Sequence, residues 1–419
     1  MNKEIQERIY AIQNGTVPKG YKKVRHMLFP ADWDEPVALN TVLSENKDRN
    51  DDLKFDKDDV LSVSGEYGVV NQIQLLGRSY AGESVEPYHV VDTGDIVYTK
   101  SPLKQNPHGI IKMNKGKPGI VSTLYAVYHC NNSITAQYLE NYFCIDSYLN
   151  NYLKPLVKRG AKNDMKVNNE DVLLGQVPLP SLQEQERINT NIEQFNHIIK
   201  LKSNLLEKKK QQKRYLMCKL LSPQDSWRKT TIGQIASITT GATPDTKHSE
   251  YWGGSIRWMN SGELNNKRVS EVKGRITDAG LKKSGTKILP VNCILIGLAG
   301  QGKTRGTVAI NSVELCTNQS IAAIHPGTEF NSEYLYHYLN SKYLELRKIS
   351  SGDGARGGLN LELIEDFIVY LPNMETQNRI ADILTLADKE LFLLEQELEV
   401  LKQKKKALIE LLLTGIARV

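Results

Sequence analysis

Residues 177–188, VPLPSLQEQERI, and residues 369–380, VYLPNMETQNRI, are two copies of one segment, and this repeat decides the fold. The second copy lies 192 residues after the first, and the alignment continues without a gap along a long predicted helix in each copy. A proline followed by a capping residue, Ser181 in one copy and Asn373 in the other, opens each helix. One structural unit is therefore used twice in the chain.

Apolar residues in the second copy recur in steps of four and three, which is the pattern of a coiled coil. The first copy keeps the register but has Lys202, Lys209 and Lys213 at some of these positions, so we expect weaker pairing in its middle. A helix of about 40 residues is roughly 60 Å long and needs a partner for its apolar stripe. We predict that the two helices pack antiparallel, with further apolar faces left for another protein. The predicted helix–helix seam comprises Ile188, Ile192, Phe195, Ile199, Leu206, Leu216, Leu220, Ile380, Leu384, Leu391, Leu394, Leu398, Leu401, Leu408 and Leu412, and Ala387 and Lys405 complete the second copy.

A globular segment of similar length precedes each helix, and a tryptophan, Trp33 or Trp227, lies near the start of each segment. Short β-branched and apolar runs, broken by Gly, Asn, Asp and Pro, predict mixed α/β domains with mostly β cores. Helices are expected over residues 136–153 and 332–349. The predicted fold class is α+β, with two such domains separated by two long antiparallel coiled-coil helices in a pseudo-two-fold repeat. The predicted boundaries are 1–180 for the first domain, 181–222 for its helix, 223–372 for the second domain and 373–419 for its helix.

The repeat also predicts that the two ends of the chain lie close together. The first helix runs through KLLSPQDSW into the second domain, whereas the second helix ends at LLLTGIARV. The matching lead-in, MLFPADW, is found near the N-terminus instead. The repeat is therefore expected to close on itself as if it were circular.

These motifs together resemble the DNA-specificity subunits of type I restriction-modification systems. The resemblance covers nearly the whole chain and includes both helix openings, LLLTG at 411–415, the run at 239–264, TNQSI at 317–321 and the segment at 61–72. It implies two target-recognition domains that each read half of a split site in double-stranded DNA. It also implies that two methyltransferase subunits, and motor nuclease subunits for cleavage, dock on the helices. S-adenosylmethionine, ATP and magnesium would then bind to these partners, and this chain would bind no cofactor and be a non-catalytic subunit of the methyltransferase and endonuclease complex.

Residues 297–304 spell the phosphate-loop pattern G-x-x-x-x-G-K-T, which suggests a nucleotide hydrolase. A functional loop of this kind lies between a strand and a helix. Here the continuation, RGTVAINSVELC, is β-branched and predicts a second strand, so the motif becomes the tip of a β-hairpin. We expect this tip to face DNA, and a tight surface turn without a ligand is the alternative.

Candidate DNA-contacting residues are polar, basic or aromatic side chains in or beside the predicted loops. The lysine clusters at 208–214 and 402–406 are interpreted mainly as solvated flanks of the helices, with contact to DNA phosphates as the alternative. In the first domain the candidates are Ser64, Tyr67, Gln72, Arg78, Tyr80, Lys100, Lys104, His108 and Lys112. In the second they are Thr243, Asp245, Arg257, Asn260, Ser261, Gln301, Lys303, Thr304, Arg305 and Arg356.

Composition fits a DNA-binding protein but does not identify one. The 419 residues include 54 Lys and Arg against 48 Asp and Glu, a net charge of +6. The five cysteines are scattered, which indicates neither a disulfide framework nor a zinc site, and we predict no metal. The sequence shows neither a signal peptide nor a membrane span, so a cytoplasmic location is expected. Two other functions stay open at this stage, namely a P-loop ATPase with an accessory coiled coil and a structural coiled-coil scaffold that binds other proteins.

Overall fold

The computed structural model divides into two compact units. The first unit comprises Met1–Leu201 and Leu398–Val419, and the second comprises Lys202–Glu397. Both boundaries fall inside the long helices, so each unit contains a globular domain and one section of each long helix. The structure describes residues 2–24, 27–101, 103, 105–159, 165–300, 303–349 and 358–418.

The helices include two that are far longer than the rest, at 39 and 40 residues. In the described part of the chain no helix combines the length and apolar character needed to cross a bilayer. The helices are α1 (Lys3–Gln13), α2 (Gln72–Leu76), α3 (Ala136–Phe143), α4 (Asp146–Leu153), α5 (Asn169–Val172), α6 (Leu182–Leu220), α7 (Ile232–Ile235), α8 (Asp278–Ser284), α9 (Ser332–Ser341), α10 (Tyr343–Ile349), α11 (Leu361–Glu365) and α12 (Met374–Leu413).

The strands are short and form several small sheets, as the β-branched runs predict. In the first unit they are β1 (Tyr21–Val24), β2 (Met27–Pro30), β3 (Val37–Ala38), β4 (Leu43–Asn46), β5 (Leu61–Ser64), β6 (Gly68–Asn71), β7 (His89–Val91), β8 (Ile96–Thr99), β9 (Ile110–Met113), β10 (Gly119–Val121), β11 (Tyr125–Cys130), β12 (Lys158–Arg159), β13 (Met165–Lys166) and β14 (Gln176–Val177). In the second they are β15 (Arg228–Thr231), β16 (Ile238–Thr240), β17 (Trp252–Met259), β18 (Arg268–Val269), β19 (Gly274–Ile276), β20 (Ile294–Gly297), β21 (Val308–Asn311), β22 (Cys316–Thr317), β23 (Ile321–Ile324) and β24 (Ile368–Leu371).

Two corrections concern helix ends. The stretches predicted as single helices at 136–153 and 332–349 are each divided in two, as α3 with α4 and as α9 with α10. The first break falls at Ile145, whose backbone is extended, with φ −89° and ψ 112°. The helix α12 ends at Leu413, before the predicted boundary at residue 419, because Gly415 adopts a positive φ of 66° that ends the helical path.

The long helices pair antiparallel within each unit, as the heptad pattern predicts. In the second unit Lys202 contacts Glu397 at 2.9 Å and Lys209 contacts Glu390 at 2.7 Å, so numbers rise along α6 as they fall along α12. In the first unit Ile188 and Leu412 lie in the same apolar core. Every predicted seam residue is buried or half-buried. The lysines in the middle of α6 have acidic partners on α12, so the break in the apolar pattern is matched by ion pairs.

The two globular domains share one scaffold. In the first, the central sheet has the order β4-β11-β8-β9, and in the second it has the order β16-β23-β20-β21-β18. The first four strands of the two sheets correspond in position and in their order along the chain, and neighbouring strands in each set of four pair antiparallel. Two helices, α3 with α4 or α9 with α10, then follow the sheet in each domain, as the sequence repeat implies.

The predicted closeness of the two chain ends is confirmed within the first unit. The Arg8 guanidinium donates to the carbonyl of Ile416 at 2.8 Å. Arg418 forms a bidentate ion pair with Asp32 at 2.9 Å and donates to Glu184 at 3.0 Å. The C-terminal segment is therefore bonded both to the N-terminal region and to the start of α6.

A buried glutamine joins each domain to its long helix in the same way. Gln185 is 0% exposed, and its Oε1 accepts from the backbone N–H of Thr135 at 2.8 Å. Gln377 is 2% exposed, and its Oε1 accepts from the N–H of Asn331 at 2.9 Å. In both copies Nε2 donates at 3.0 Å to the carbonyl of the proline five residues earlier. Because Thr135 and Asn331 cap α3 and α9, each glutamine fixes a domain helix against a long helix.

We expect Gln377→Leu to lower the free energy of unfolding by roughly 1–3 kcal/mol, because it leaves a buried N–H and a buried carbonyl without partners. Chemical denaturation followed by circular dichroism measures this change. Gln396→Leu, at an exposed position of the same helix, is the matched control and should change stability by less than about 0.5 kcal/mol. Equal stabilities of the two variants would contradict a structural role for the buried amide.

Candidate nucleic-acid interface

Basic side chains collect at one edge of the central sheet in the first unit. Strands β4 and β8 both pair antiparallel with β11, so they end at the same edge, which we call the loop edge. Lys47 and Arg49 follow β4, Lys100 follows β8, and all three line one cleft of about 560 Å³, which Glu45, Glu170 and Asp171 line as well. His108 lies in the loop from β8 to β9, where its carbonyl accepts from the Tyr98 hydroxyl at 2.7 Å. The structure therefore brings predicted residues Lys100 and His108 to the loop edge.

The second unit has the same loop edge, where β16 and β20 end beside the start of β23. The segment just before β23 holds three chain segments together. Its Asn318 N–H donates to Met259 at 3.1 Å, and the Thr243 hydroxyl donates to Gln319 at 2.6 Å. Its Ser320 carbonyl accepts from Leu298 N–H at 2.8 Å. The predicted residues on these three segments are Thr243, Asp245, Asn260, Ser261, Lys303, Thr304 and Arg305.

The phosphate-loop pattern lies in a β-hairpin, which confirms the sequence interpretation. Strand β20 pairs antiparallel with β21, with Ile296 opposite Val308, and the chain after Lys303 continues into a strand instead of a helix. A Cβ on Gly297 would lie 2.3 Å from the Thr304 carbonyl oxygen. The two sides of the hairpin therefore approach so closely that only glycine fits at this position. Gly306 adopts a positive φ of 75° in the turn. The helix N-terminus that receives phosphates in an ATP site does not follow the motif.

The short helix that follows α3 or α9 supports the corresponding loop in each unit. In the second unit the Tyr343 hydroxyl donates to the carbonyl of Lys303 at 3.1 Å, and Arg347 donates to the Tyr343 oxygen at 3.0 Å. In the first unit Asn150 donates to the carbonyl of Gln105 at 3.0 Å. The scaffold thus holds the same loop in place in both copies, while the residues of the loop differ.

Other candidates of the first unit lie away from this edge. Gln72 uses its amide internally, because Nε2 donates to Ser62 at 3.0 Å and Oε1 accepts from the Tyr80 N–H at 2.7 Å. The Arg78 guanidinium lies 4.5 Å from the centre of the Tyr80 ring, and both side chains are exposed. Ser64 accepts from the Tyr67 N–H at 3.2 Å in the turn between β5 and β6. Tyr67 and Lys112 line a different cavity, beside α12.

Several candidates of the second unit are engaged by their own surroundings. Asn260 caps a short helical turn by accepting from the Gly262 N–H at 2.9 Å. Asp245 accepts from the Lys247 N–H at 2.9 Å. Arg257 lies 3.6 Å from Glu271. These contacts favour a structural role for these three side chains, and contact with DNA stays a prediction for all the residues proposed from the sequence. Lys104, Gln301 and Arg356 lie outside the described residues.

Sequence reasoning missed Lys47 and Arg49. The sequence does show these two cations directly after β4, the strand that corresponds to β16 in the repeat. Only the order of the strands in the sheet, however, places them beside Lys100. They lie around His89, a buried residue of β7. Burial first, and then the charges of Arg49 and Lys100, lower the pKa of His89 to about 4, so this ring is neutral at physiological pH. Over the described ranges, no cluster of three or more His, Cys, Asp or Glu side chains could hold a metal ion.

Residues 224–403 match the family model of the type I restriction modification DNA specificity domain. The MjaIX specificity subunit of Methanocaldococcus jannaschii is 32% identical over 170 residues, which are 40% of this chain and 38% of that protein. The EcoR124I/EcoR124II specificity subunit of Escherichia coli is 27% identical over 50% of this chain and 53% of that protein. The putative MjaX specificity subunit of M. jannaschii is 24% identical over 96% of this chain and 97% of its own length. The first two relatives are thus matched over about half of their length or less.

Two solved structures have a similar fold. The specificity subunit of a type I restriction-modification system from M. genitalium superimposes with a TM-score of 0.57 at 13% identity, over 91% of this chain and 96% of that one. A chain from a structural study of complex assembly in the type I system superimposes with a TM-score of 0.58 at 15% identity, over 96% and 100%. Residues 224–403 thus match a type I restriction modification DNA specificity domain, and the chain is similar to named specificity subunits over as much as 96% of its length.

Proposed function

We propose that this chain is the DNA-recognition subunit of a type I restriction-modification complex and that its two units each read half of a bipartite target in double-stranded DNA. One observation carries the proposal. The same scaffold occurs twice. At the same edge of each copy it presents loops of different sequence, which are held in place by corresponding helices, α4 in the first unit and α10 in the second. A conserved frame with divergent loops is what two readers of two different half-sites require.

The loop edge has suitable chemistry for DNA. Lys47, Arg49 and Lys100 in the first unit, and Lys303 and Arg305 in the second, supply cations for phosphates and for guanine edges. One such reader contacts a few base pairs in a groove, so two reads joined by a spacer give a longer, split target. The helices α6 and α12 would serve as that spacer, because a paired helix of about 40 residues is a stiff rod.

The long helices also offer a surface for a partner protein. On α12, Ile383, Leu386 and Leu393 lie three and seven residues apart on one face, and Leu386 and Leu393 are 69% and 54% exposed. This stripe is separate from the seam that faces α6. Exposed apolar stripes of this kind are typical of protein interfaces. We assign it to a methyltransferase subunit, and the repeat implies that two such subunits bind. Motor nuclease subunits would join for cleavage.

In this proposal the chain has no catalytic role. The methyltransferase subunits would bind S-adenosylmethionine, and the motor subunits would bind ATP and magnesium. The hairpin at the phosphate-loop pattern supports this division, because it lacks the strand-to-helix geometry of an ATP site. Since its substrate is genomic DNA, the complex would work in the cytoplasm.

Replacing residues 223–372 with the equivalent segment of a relative should change one half of the methylated motif and leave the other half unchanged. Each half-site is read by one unit, so the two halves should exchange independently. Sequencing of native DNA from cells that express the chimera with the cognate methyltransferase measures the motif. The unaltered chain is the control. An absence of any split methylated motif with the unaltered chain would contradict the proposed function.

Leu386→Asp should weaken binding of the methyltransferase subunit about tenfold or more, because it places a charge at the centre of a desolvated contact. Gln403→Asp introduces the same charge at an exposed position of α12 about 15 Å beyond Leu393, outside the stripe, and should bind like the unaltered chain. Calorimetric titration of each variant with the purified methyltransferase subunit measures the affinity. Equal affinities for the two variants would remove this stripe from the interface.

A further inference from the structure

The second unit places carboxylates beside two of its basic groups where the domain meets the long helices. Lys213 of α6 forms an ion pair with Asp388 of α12. Arg268 binds Glu333 with both Nη atoms, at 2.7 and 2.9 Å, and contacts Asp388 at 3.3 Å. Burial lowers the pKa of Arg268, but the bonds and charges of Glu333 and Asp388 outweigh it and raise that pKa. Lys213 and Arg268 therefore have carboxylate partners, while Lys267 lies near them, and its pKa is lowered by burial and by the charge of Lys213.

The repeat supplies an internal comparison for the first unit. The helix alignment, in which Gln185 corresponds to Gln377, makes Lys405 the counterpart of Lys213 and Asn196 the counterpart of Asp388. The caps Thr135 and Asn331 make Gln137 the counterpart of Glu333.

The basic group is therefore kept in the first unit, while both carboxylates are replaced by amides. Lys405 is also the residue that interrupts the apolar seam of α12. The pairing of the two helices alone does not explain why a lysine occupies this position.

A cavity of about 230 Å³ lies at this junction of the first unit. Lys112 of β9 and Lys405 both line it. The other charged groups of the lining are already paired, since Lys115 contacts Glu140 at 2.6 Å and the exposed Glu66 is hydrogen-bonded to Tyr67. Among the residues that the structure describes, no carboxylate lies within ion-pair distance of Lys112 or Lys405. The lining therefore has three lysines against two glutamates, and Lys112 and Lys405 are its half-buried cations without an ion-pair partner in the described part of the chain.

Both ammonium groups act on the same point in the cavity. Burial raises the pKa of the Cys144 thiol, although part of the residue is open to solvent. The charges of Lys112 and Lys405 oppose that rise, and the smaller effects of Glu140 and Asp146 add to it. Cys144 lines the same cavity. Two like charges that line one partly desolvated cavity repel each other, and an anion bound in that cavity relieves the repulsion.

We propose that this cavity, between Lys112 and Lys405, binds a phosphate oxyanion. The volume is suitable for a phosphate group and is below the range of ordinary pockets for larger ligands. Lysine binds phosphate as a point charge, and two lysines match its multiple negative charge. The phosphate is either free inorganic phosphate or a phosphodiester of the DNA backbone. The free-phosphate form of this inference does not depend on the proposed function.

The first test uses the whole chain and inorganic phosphate. We expect the melting temperature to be higher in phosphate than in sodium chloride of equal ionic strength. Lys405→Gln should abolish this difference and weaken phosphate binding about tenfold or more in a calorimetric titration. Lys402→Gln, an exposed lysine of the same helix that lines no part of the cavity, should behave like the unaltered chain.

A second variant keeps the test valid if Lys405→Gln folds poorly. Glu193→Thr combined with Asn196→Asp copies the residues of the second unit, Thr385 and Asp388, into the first. It supplies Lys405 with a carboxylate, so it should fold and lose the response to phosphate. A response to phosphate that persists in this variant would contradict the proposed site.

A second experiment tests whether the bound phosphate belongs to DNA. It measures, at several salt concentrations, the affinity of the complex of this chain and the methyltransferase for the DNA duplex that the complex methylates. If the bound phosphate belongs to DNA, Lys405→Gln should reduce the slope of log affinity against log salt by about one, while Lys402→Gln leaves it unchanged. If Lys405→Gln and Lys402→Gln behave alike both in phosphate binding and in the salt dependence of DNA binding, the proposal fails. A defect of Lys405→Gln confined to assembly with the methyltransferase would also overturn it, in favour of a carboxylate on that partner.

Discussion

Burial of the apolar seam between α6 and α12 is the constraint on which the rest of the structure depends. Neither helix can remain exposed, because each has a long stripe of apolar residues, interrupted by lysines in the middle of α6 and by Lys405 in α12, and the partner that buries the stripe is the other copy. The ion pairs from Lys202 to Glu397 and from Lys209 to Glu390 fix the antiparallel direction. Each is exposed and contributes little stability on its own, so they set register while apolar burial supplies the free energy.

The domains depend on the helices through a small number of buried bonds. Gln185 and Gln377 each join the cap of a domain helix to the proline that opens a long helix. An amide can do this because it donates and accepts at once, which satisfies two backbone groups in one buried position. The orientation of each sheet, and hence of its loop edge, is therefore tied to its helix. The loops themselves are free to differ, which is how one frame can serve two different readers.

The sequence predicted the features that depend on periodicity and on local backbone chemistry. Heptad spacing gave the seam, Ser181 and Asn373 gave the helix starts, and β-branched residues after Lys303 gave the hairpin. Features that depend on pairing between distant strands were not predictable. Lys47, Arg49 and Lys100 become neighbours because β4 and β8 both pair with β11. The hydrogen bonds of Gln72 to Ser62 and Tyr80, which favour a structural role for its amide, were not predictable either. They join segments whose spacing in the sequence follows no pattern.

Antiparallel pairing of the helices within one chain is tested most directly by a zero-length cross-link between the paired charges. Carbodiimide activation of the carboxylates should join Lys209 to Glu390 and Lys202 to Glu397 by amide bonds, because the ammonium groups lie 2.7 and 2.9 Å from their carboxylates. A link from Lys209 to Glu397, which lies about 10 Å further along α12 than Glu390, should not form. Peptide mapping after proteolysis of the cross-linked monomer identifies the joined residues. A link from Lys209 to Glu397 in preference to Glu390, or the absence of both expected links, would contradict the account.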